Sequence, residues 1–228
     1  MRAWTVMLIV AALGSSAPVW ASGGTEAAGK APLEGEIAYL EGDVTLDGKD
    51  AQIGQAVHRG ATVRTGPASV CEITWGGQNI IQVQEKTLAV LDVGSLTPGV
   101  RLQTGSVAAV LNKVDAISRN GTFRVKTPSA VAGVRGTVFF VKVEDATSSY
   151  ICACFGTLAV TPTLGKQVEL SATNHVARRF TRVGLSTRVT PAGLLYHDST
   201  SQSNLAKKIG YTVPWGSGEY GTSGSGGY

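Results

Sequence analysis

Between Gly35 and Thr161 a turn signal recurs about every ten residues. The signals are Glu41-Gly42-Asp43, Asp47-Gly48, Thr65-Gly66-Pro67, Trp75-Gly76-Gly77, Thr104-Gly105 and Phe155-Gly156. Glycine adopts the positive φ that tight turns need, and Asp before Gly favours the two-residue hairpin. Short alternating segments lie between them: Glu36–Leu40, Val44–Leu46, Ala61–Arg64, Ser69–Thr74, Ile80–Gln84, Thr87–Leu91, and a pair, Val100–Gln103 and Ser106–Leu111, flanking Thr104-Gly105. Alternation with period 2 is the mark of strands with one covered face. No regular strand–helix succession appears, so a parallel α/β domain is unsupported. The pattern predicts an all-β fold of short antiparallel strands, in a sandwich or jelly-roll-like arrangement or a short β-solenoid. A charged fraction of 16% and 29 glycines suit such a loop-rich chain.

The stretch Thr122–Val143 is the most informative part of that pattern. Phe123 and Val125 alternate with Arg124 and Lys126, and Pro128 ends the strand because it cannot donate to a ladder. A small-residue segment, Ala130–Val134, and then Arg135-Gly136-Thr137 read as a tight, glycine-bearing crossing. Val138–Val141 is apolar on both faces, as a central strand covered on both sides would be. Arg135 lies in largely apolar surroundings. It reads as a structural arginine bonding carbonyls at the crossing, with an anion or partner contact as the sharper alternative. Beyond it, Tyr150–Cys154 and Thr157–Thr161 are expected to pair across Phe155-Gly156. Val168–Ser171 and Val176–Thr181 are expected as further strands, and Gln202–Lys208 as a short helix.

These residues resemble the FecR domain family. Its pattern is carried here by Phe123, Val125, Thr127, Pro128, Ala130, Val134, Arg135, Gly136, Thr137, Phe139 and Val141. An earlier motif of the same family is matched by Gly60, Val63, Thr65, Gly66 and Ser69, and an intervening one by Leu102, Gly105, Ser106 and Val107. The resemblance spans roughly Gly35–Thr161. It implies a bacterial cell-envelope β domain without known catalytic residues. The name-giving members are membrane-spanning regulators that relay an outer-membrane transporter's state to a sigma factor, and they carry a cytoplasmic segment before their membrane helix. Here only Met1–Trp4 precede the apolar run, so that cytoplasmic role is not expected.

The N-terminus reads as a secretory signal peptide over residues 1–21. Arg2 is its positive end, Thr5–Leu13 its apolar core, and Val19-Trp20-Ala21 its small-residue end. The apolar run is too short for a span of roughly 20 residues, so no transmembrane segment is expected after cleavage. Residues 22–34 form a polar linker, 35–161 the β domain and 162–200 further strands packed on it. Residues 201–228 are expected as the helix and a disordered Gly/Ser/Tyr tail. The expected location is periplasmic or extracellular. Without Arg2 the chain has 19 Lys and Arg against 16 Asp and Glu, a net +3. The only basic doublets, Arg178-Arg179 and Lys207-Lys208, read as solvated surface, and nucleic acid is not an expected partner. An envelope protein or a polysaccharide is.

Candidate chemistry is sparse, and the chain does not read as an enzyme. His197-Asp198-Ser199 contains the residue types of a hydrolase triad, but a triad is a matter of geometry and no nucleophile elbow is present. The carboxylate pairs Glu34/Glu36, Glu41/Asp43 and Glu144-Asp145 lie at predicted turns. Asp43, Asp47 and Asp50 lack the acidic residue that closes a calcium loop. One constellation stands out. Cys152 and Cys154 are two apart in a predicted strand and therefore share a face. With His175 and His197 they could complete a Cys₂His₂ site for zinc or another soft metal. The plainer reading is two buried cysteines in a core strand and two loop histidines. A disulfide to Cys71, the third cysteine, is a further alternative.

Overall fold

The computed structural model describes residues 34–92, 97–118 and 120–217. The expected signal peptide, nearly all of the linker and most of the tail lie outside these residues. In chain order the elements are β1 (Gly35–Glu41), β2 (Val44–Leu46), β3 (Lys49–Asp50), β4 (Ala56–Val57), β5 (Ala61–Thr65), β6 (Val70–Trp75), β7 (Asn79–Val83), β8 (Leu88–Asp92) and β9 (Gly99–Leu111). There follow α1 (Val114–Ile117), β10 (Phe123–Lys126), β11 (Ala130–Val134), β12 (Val138–Val143), β13 (Ser148–Pro162), β14 (Val168–Ala172), β15 (Val176–Val183), β16 (Ser186–Ala192) and α2 (Ser199–Lys207). The all-β expectation holds.

The strands form two layers. The first runs β4-β1-β6-β7-β9-β12-β13-β15-β16 and is antiparallel throughout. The second runs β3-β2-β5-β8-β9-β10-β11-β13-β14 and is antiparallel except at the parallel β9–β10 pair. Because β9 and β13 belong to both layers, the ring β9-β12-β13-β11-β10 closes on itself as a small barrel within the larger sheet. A large core of Ile, Val, Leu and Phe fills the space between the layers. Trp75 of the first meets Phe123 of the second there, with ring centroids 6.0 Å apart.

Two strands belong to both layers, and this corrects the sequence reading. Thr104-Gly105 and Phe155-Gly156 look like hairpin turns, yet neither folds the chain back on itself. Leu88–Asp92 pairs with Gly99–Thr104 of β9, while β12 pairs with Gly105–Val110. Likewise β12 and β15 take the first half of β13, and β11 and β14 take the second. Each glycine is a corner in a continuous strand, with φ of +78° at Gly105 and +97° at Gly156. One left-handed residue redirects a strand, whereas a hairpin needs the ladder to reverse. Ala130–Val134 is also a strand, β11, rather than part of the crossing. Its hairpin with β10 turns at Thr127–Ala130, and the crossing narrows to Arg135-Gly136-Thr137. The Thr127 side chain latches that turn: Oγ1 accepts from the Ala130 N–H and donates to the Ala130 carbonyl, both at 3.1 Å.

The first layer is covered on its outer face as well. Ile80, Ala108, Val110, Val138, Phe140, Tyr150, Cys152, Cys154 and Ala177 form a second core with Leu205 and Ala206 of α2 and with Val213. This accounts for the doubly apolar β12, whose Phe139 points between the layers and whose Phe140 points outward. The helix begins earlier than its apolar spacing indicates, because Asp198 caps it. Asp198 Oδ1 accepts the Ser201 N–H at 2.7 Å, and Ser201 Oγ closes the box. The basic doublets are only partly solvated. Lys208 Nζ meets both Glu72 oxygens at 2.6–2.7 Å, and Arg179 grips Glu144 bidentately.

The corner at Gly105 is both conformational and steric. A Cβ there would stand 2.5 Å from Thr87 Cα. Gly105→Ala should therefore destabilise the fold by about 3 kcal/mol or more, the sum of a left-handed alanine and an overpacked contact. Gly48→Ala, also at positive φ but with nothing within 4 Å, should cost only about 1–2 kcal/mol. Urea unfolding of both variants checks the difference.

Candidate metal centre

Strand β13 places the two thiols. Val138 pairs with Phe155 and Phe139 with Ala153, so Cys154 is the extra residue of a β-bulge. A bulge re-aims a side chain while keeping the strand continuous. Cys152 and Cys154 both point outward, fully buried, with their sulfurs 3.9 Å apart. Cys71 is equally buried, but it lies in the core between the layers. The first layer separates it from the pair, so the disulfide alternative has no geometry here. All three cysteines are free thiols. Burial, with the Glu72 charge beside it, pushes the Cys71 thiol up to about 12.

The turn between β14 and β15 supplies His175. Its backbone is left-handed, with φ of +50°, and its N–H bonds the Cys154 carbonyl at 3.0 Å. That bond swings the ring over β13. Nδ1 lies 3.7 Å from Cys152 Sγ, and Nε2 lies 3.0 Å from Ser199 Oγ. The ring stacks on Trp215, with centroids 5.2 Å apart. His197 comes from the segment between β16 and α2. Its Nε2 lies 3.3 Å from Cys154 Sγ. Its Nδ1 lies 2.8 Å from the Leu195 carbonyl, a contact that turns Nε2 toward Cys154. The His197 ring lies flat on Phe140, with centroids 4.3 Å apart.

The four donor atoms thus converge within 4.8 Å of one another. For a tetrahedral ion at the usual bond lengths of about 2.3 Å to sulfur and about 2.0–2.1 Å to nitrogen, the edges would be about 3.8 Å between sulfurs and about 3.5–3.6 Å between sulfur and nitrogen. The observed 3.9, 3.7 and 3.3 Å bracket those values. Electrostatics agree with a shared thiolate. Burial pushes both thiols up, yet hydrogen bonds from Cys154, His175 and His197 hold Cys152 well below the ordinary thiol range. Cys154, beside that negative sulfur, is driven well above it. A dry thiolate with two imidazoles around it attracts a soft cation.

The other candidates resolve differently. Asp198 caps α2 and Ser199 faces His175, so His197-Asp198-Ser199 is a helix start. Asp47 pairs with His58 at 2.8 Å on the surface. Arg135 is exposed, at the rim of an open groove that Arg124, Gly133, Thr157 and Glu169 also line. It bonds no carbonyl among the described residues, because the β11 carbonyls are already engaged in the β10 and β13 ladders. The sequence gives no sign of the groups that hold the site: Phe140, Trp215, Ser199, Tyr150 and Glu144. Tyr150 Oη donates to the Gly193 carbonyl and accepts the Leu195 N–H. Tyr196 Oη donates to Glu144 at 2.8 Å.

Residues 61–154 match the sequence profile of the FecR family, described as FecR protein. This segment is a FecR domain. Its motif residues build the frame: Thr65, Thr127 and Gly136 latch or permit turns. Only Cys152 and Cys154 of the candidate centre fall within the matched segment, at its very end, while His175 and His197 lie beyond it. No curated protein matches the chain. Two crystal structures of a "putative anti-sigma factor" from Parabacteroides distasonis resemble it at 13% identity and a TM-score of 0.47, covering 57% of this chain and 59% of that one. No helix among the described residues is long and apolar enough to cross a membrane.

Arg179 holds the Glu144 carboxyl below its ordinary 4.5, with Tyr196 and Ser148 adding to the effect. A depressed folded value means the contribution is complete above 4.5 and is lost as pH falls through the folded value. Arg179→Met should therefore cost about 1–3 kcal/mol at neutral pH, by stranding a half-buried carboxylate. That cost should shrink steadily below pH 4.5. Paired urea titrations of the native and variant chains across pH 3–7 test the sign.

Proposed function

We propose that this chain is an exported, non-catalytic FecR-domain module of the bacterial envelope that binds a thiophilic divalent metal and takes part in regulation through a protein partner. The observation that carries the metal reading is the convergence of Cys152 Sγ, Cys154 Sγ and one nitrogen each of His175 and His197 within 4.8 Å. Two sulfurs and two imidazole nitrogens converging on one point suit zinc above the harder cations, which prefer oxygen. The regulatory reading rests on the FecR domain. Export rests on the charged start, apolar core and small-residue end of residues 1–21. An envelope protein is the favoured partner, met through open strand edges such as β16 and through exposed apolar tips such as Leu185.

Protein recovered from a periplasm should begin at Ser22 and hold about one zinc per chain. Changing Cys152 and Cys154 together to Ser should reduce bound metal to less than a tenth. At free zinc a hundred times the dissociation constant, the ion should add about 2.7 kcal/mol of stability. A chelator should then lower Tm by about 5–11 °C. Elemental analysis, thiol titration and a thermal melt read these outcomes. A metal-free protein with three titratable thiols and a melt insensitive to zinc would contradict the metal reading.

A further inference from the structure

Four protein donors leave no coordination position for a substrate, and a closed shell of this kind is a fastening rather than a catalytic centre. What it fastens follows from where the donors sit. Three belong to the β framework: Cys152 and Cys154 on β13, and His175 on the turn that bonds β13. The fourth, His197, belongs to the segment that leaves β16 and crosses the outer face of the first layer. The described residues after Ala192 join no strand ladder. Their attachments are made by side chains and single backbone bonds. Tyr150 Oη holds Gly193 and Leu195, Tyr196 reaches Glu144, Lys208 reaches Glu72, and the Gly216 N–H bonds the Thr173 carbonyl. Leu205, Ala206 and Val213 supply the buried apolar contact, Ile209, Tyr211 and Trp215 pack against it, and Tyr196 and His197 stack on Phe140. The nine-residue α2 is too short to hold its shape without such docking.

Three of the strap's own residues surround the centre. His197 is a ligand, Ser199 Oγ meets the second nitrogen of His175, and Trp215 stacks on the His175 ring. The beginning of the strap, the start of its helix and its far end are thus gathered at one point. We infer that the metal is a clasp: a closed zinc site that pins residues 193–216 across the outer face of the first layer, so that loss of zinc frees the strap and bares the apolar face beneath it. This rests on the metal-site reading above. Without the ion, the His197–Cys154 thiol contact, the Ser199–His175 hydrogen bond and the stacking of Trp215 on His175 and of His197 on Phe140 join the strap to the framework at that point. With it, two coordinate bonds to β13, one to the β14–β15 turn and one to the strap close the loop. Binding and docking then become linked equilibria, each biasing the other by the same factor.

The test is hydrogen exchange by mass spectrometry on the purified full chain, kept reduced, with and without zinc chloride. Peptides covering residues 195–215 should exchange at least tenfold more slowly with zinc, while those covering β5–β8 should not change. His197→Ala keeps three donors and should still take up zinc, more weakly, with no zinc-dependent protection of 195–215. Leu205→Ala touches no donor, and it should weaken zinc binding by the same factor by which it speeds opening of the strap. Zinc bound with unchanged exchange over 195–215, or unaltered affinity in a folded Leu205→Ala chain whose strap is demonstrably looser, would overturn the clasp while leaving the metal site standing. Failure of the native chain to bind zinc at all would remove the metal site, and the clasp with it.

Discussion

Strand β13 must serve both layers at once. It runs fifteen residues from Ser148 to Pro162, pairs with β12 and β15 before Gly156, and pairs with β11 and β14 after it. The corner cannot move. A Cβ at Gly156 would press on Thr137 Cβ at 3.0 Å, and the residue already stands at φ +97°. Because the corner is fixed, the bulge just before it is fixed too, and with it the outward aim of Cys152 and Cys154. The FecR motif at Val134–Thr137 is the other side of this contact. It carries the chain from β11 in the second layer to β12 in the first, against the bend in β13. The motif therefore secures the frame, and the chemistry sits where the frame turns.

Much of this was legible in the sequence because β physics is local. Alternation gave the strands, and Asp47-Gly48 gave a true hairpin with both residues at positive φ. The two-sided apolar run Val138–Val141 identified the strand that needs covering on both faces. What covers its outer face was not legible, since Leu205, Ala206 and Val213 are scattered over a polar segment. The corners at Gly105 and Gly156 look like turns in the sequence for a plain reason. A glycine that bends a strand and a glycine that reverses it have the same local sequence, and only the partners on either side tell them apart. Arg135 is a similar case: among apolar residues it reads as a structural arginine bonding carbonyls, while its place at the end of β11 leaves it exposed at the rim of a groove.

The candidate centre was partly legible. Period-2 spacing puts Cys152 and Cys154 on one face, and that much follows from strand geometry alone. That His175 reaches them depends on a left-handed turn residue whose N–H bonds Cys154. That His197 reaches them depends on a strap held by Tyr150 and Glu144. Neither dependency leaves a spacing signature, which is why the set fits no standard zinc motif. Four polar donors gathered beneath Phe140 and Trp215 are costly to bury unless something satisfies them together. Thiol–imidazole hydrogen bonds do this weakly, and one cation would do it fully.

The most direct measurement is X-ray absorption at the zinc edge on protein loaded with one equivalent of zinc. The account predicts a shell of two sulfurs at about 2.3 Å and two nitrogens at about 2.0–2.1 Å, with outer-shell scattering from two imidazole rings. A shell of oxygen and nitrogen alone, with no sulfur, would place any bound zinc elsewhere on the surface and contradict the central claim.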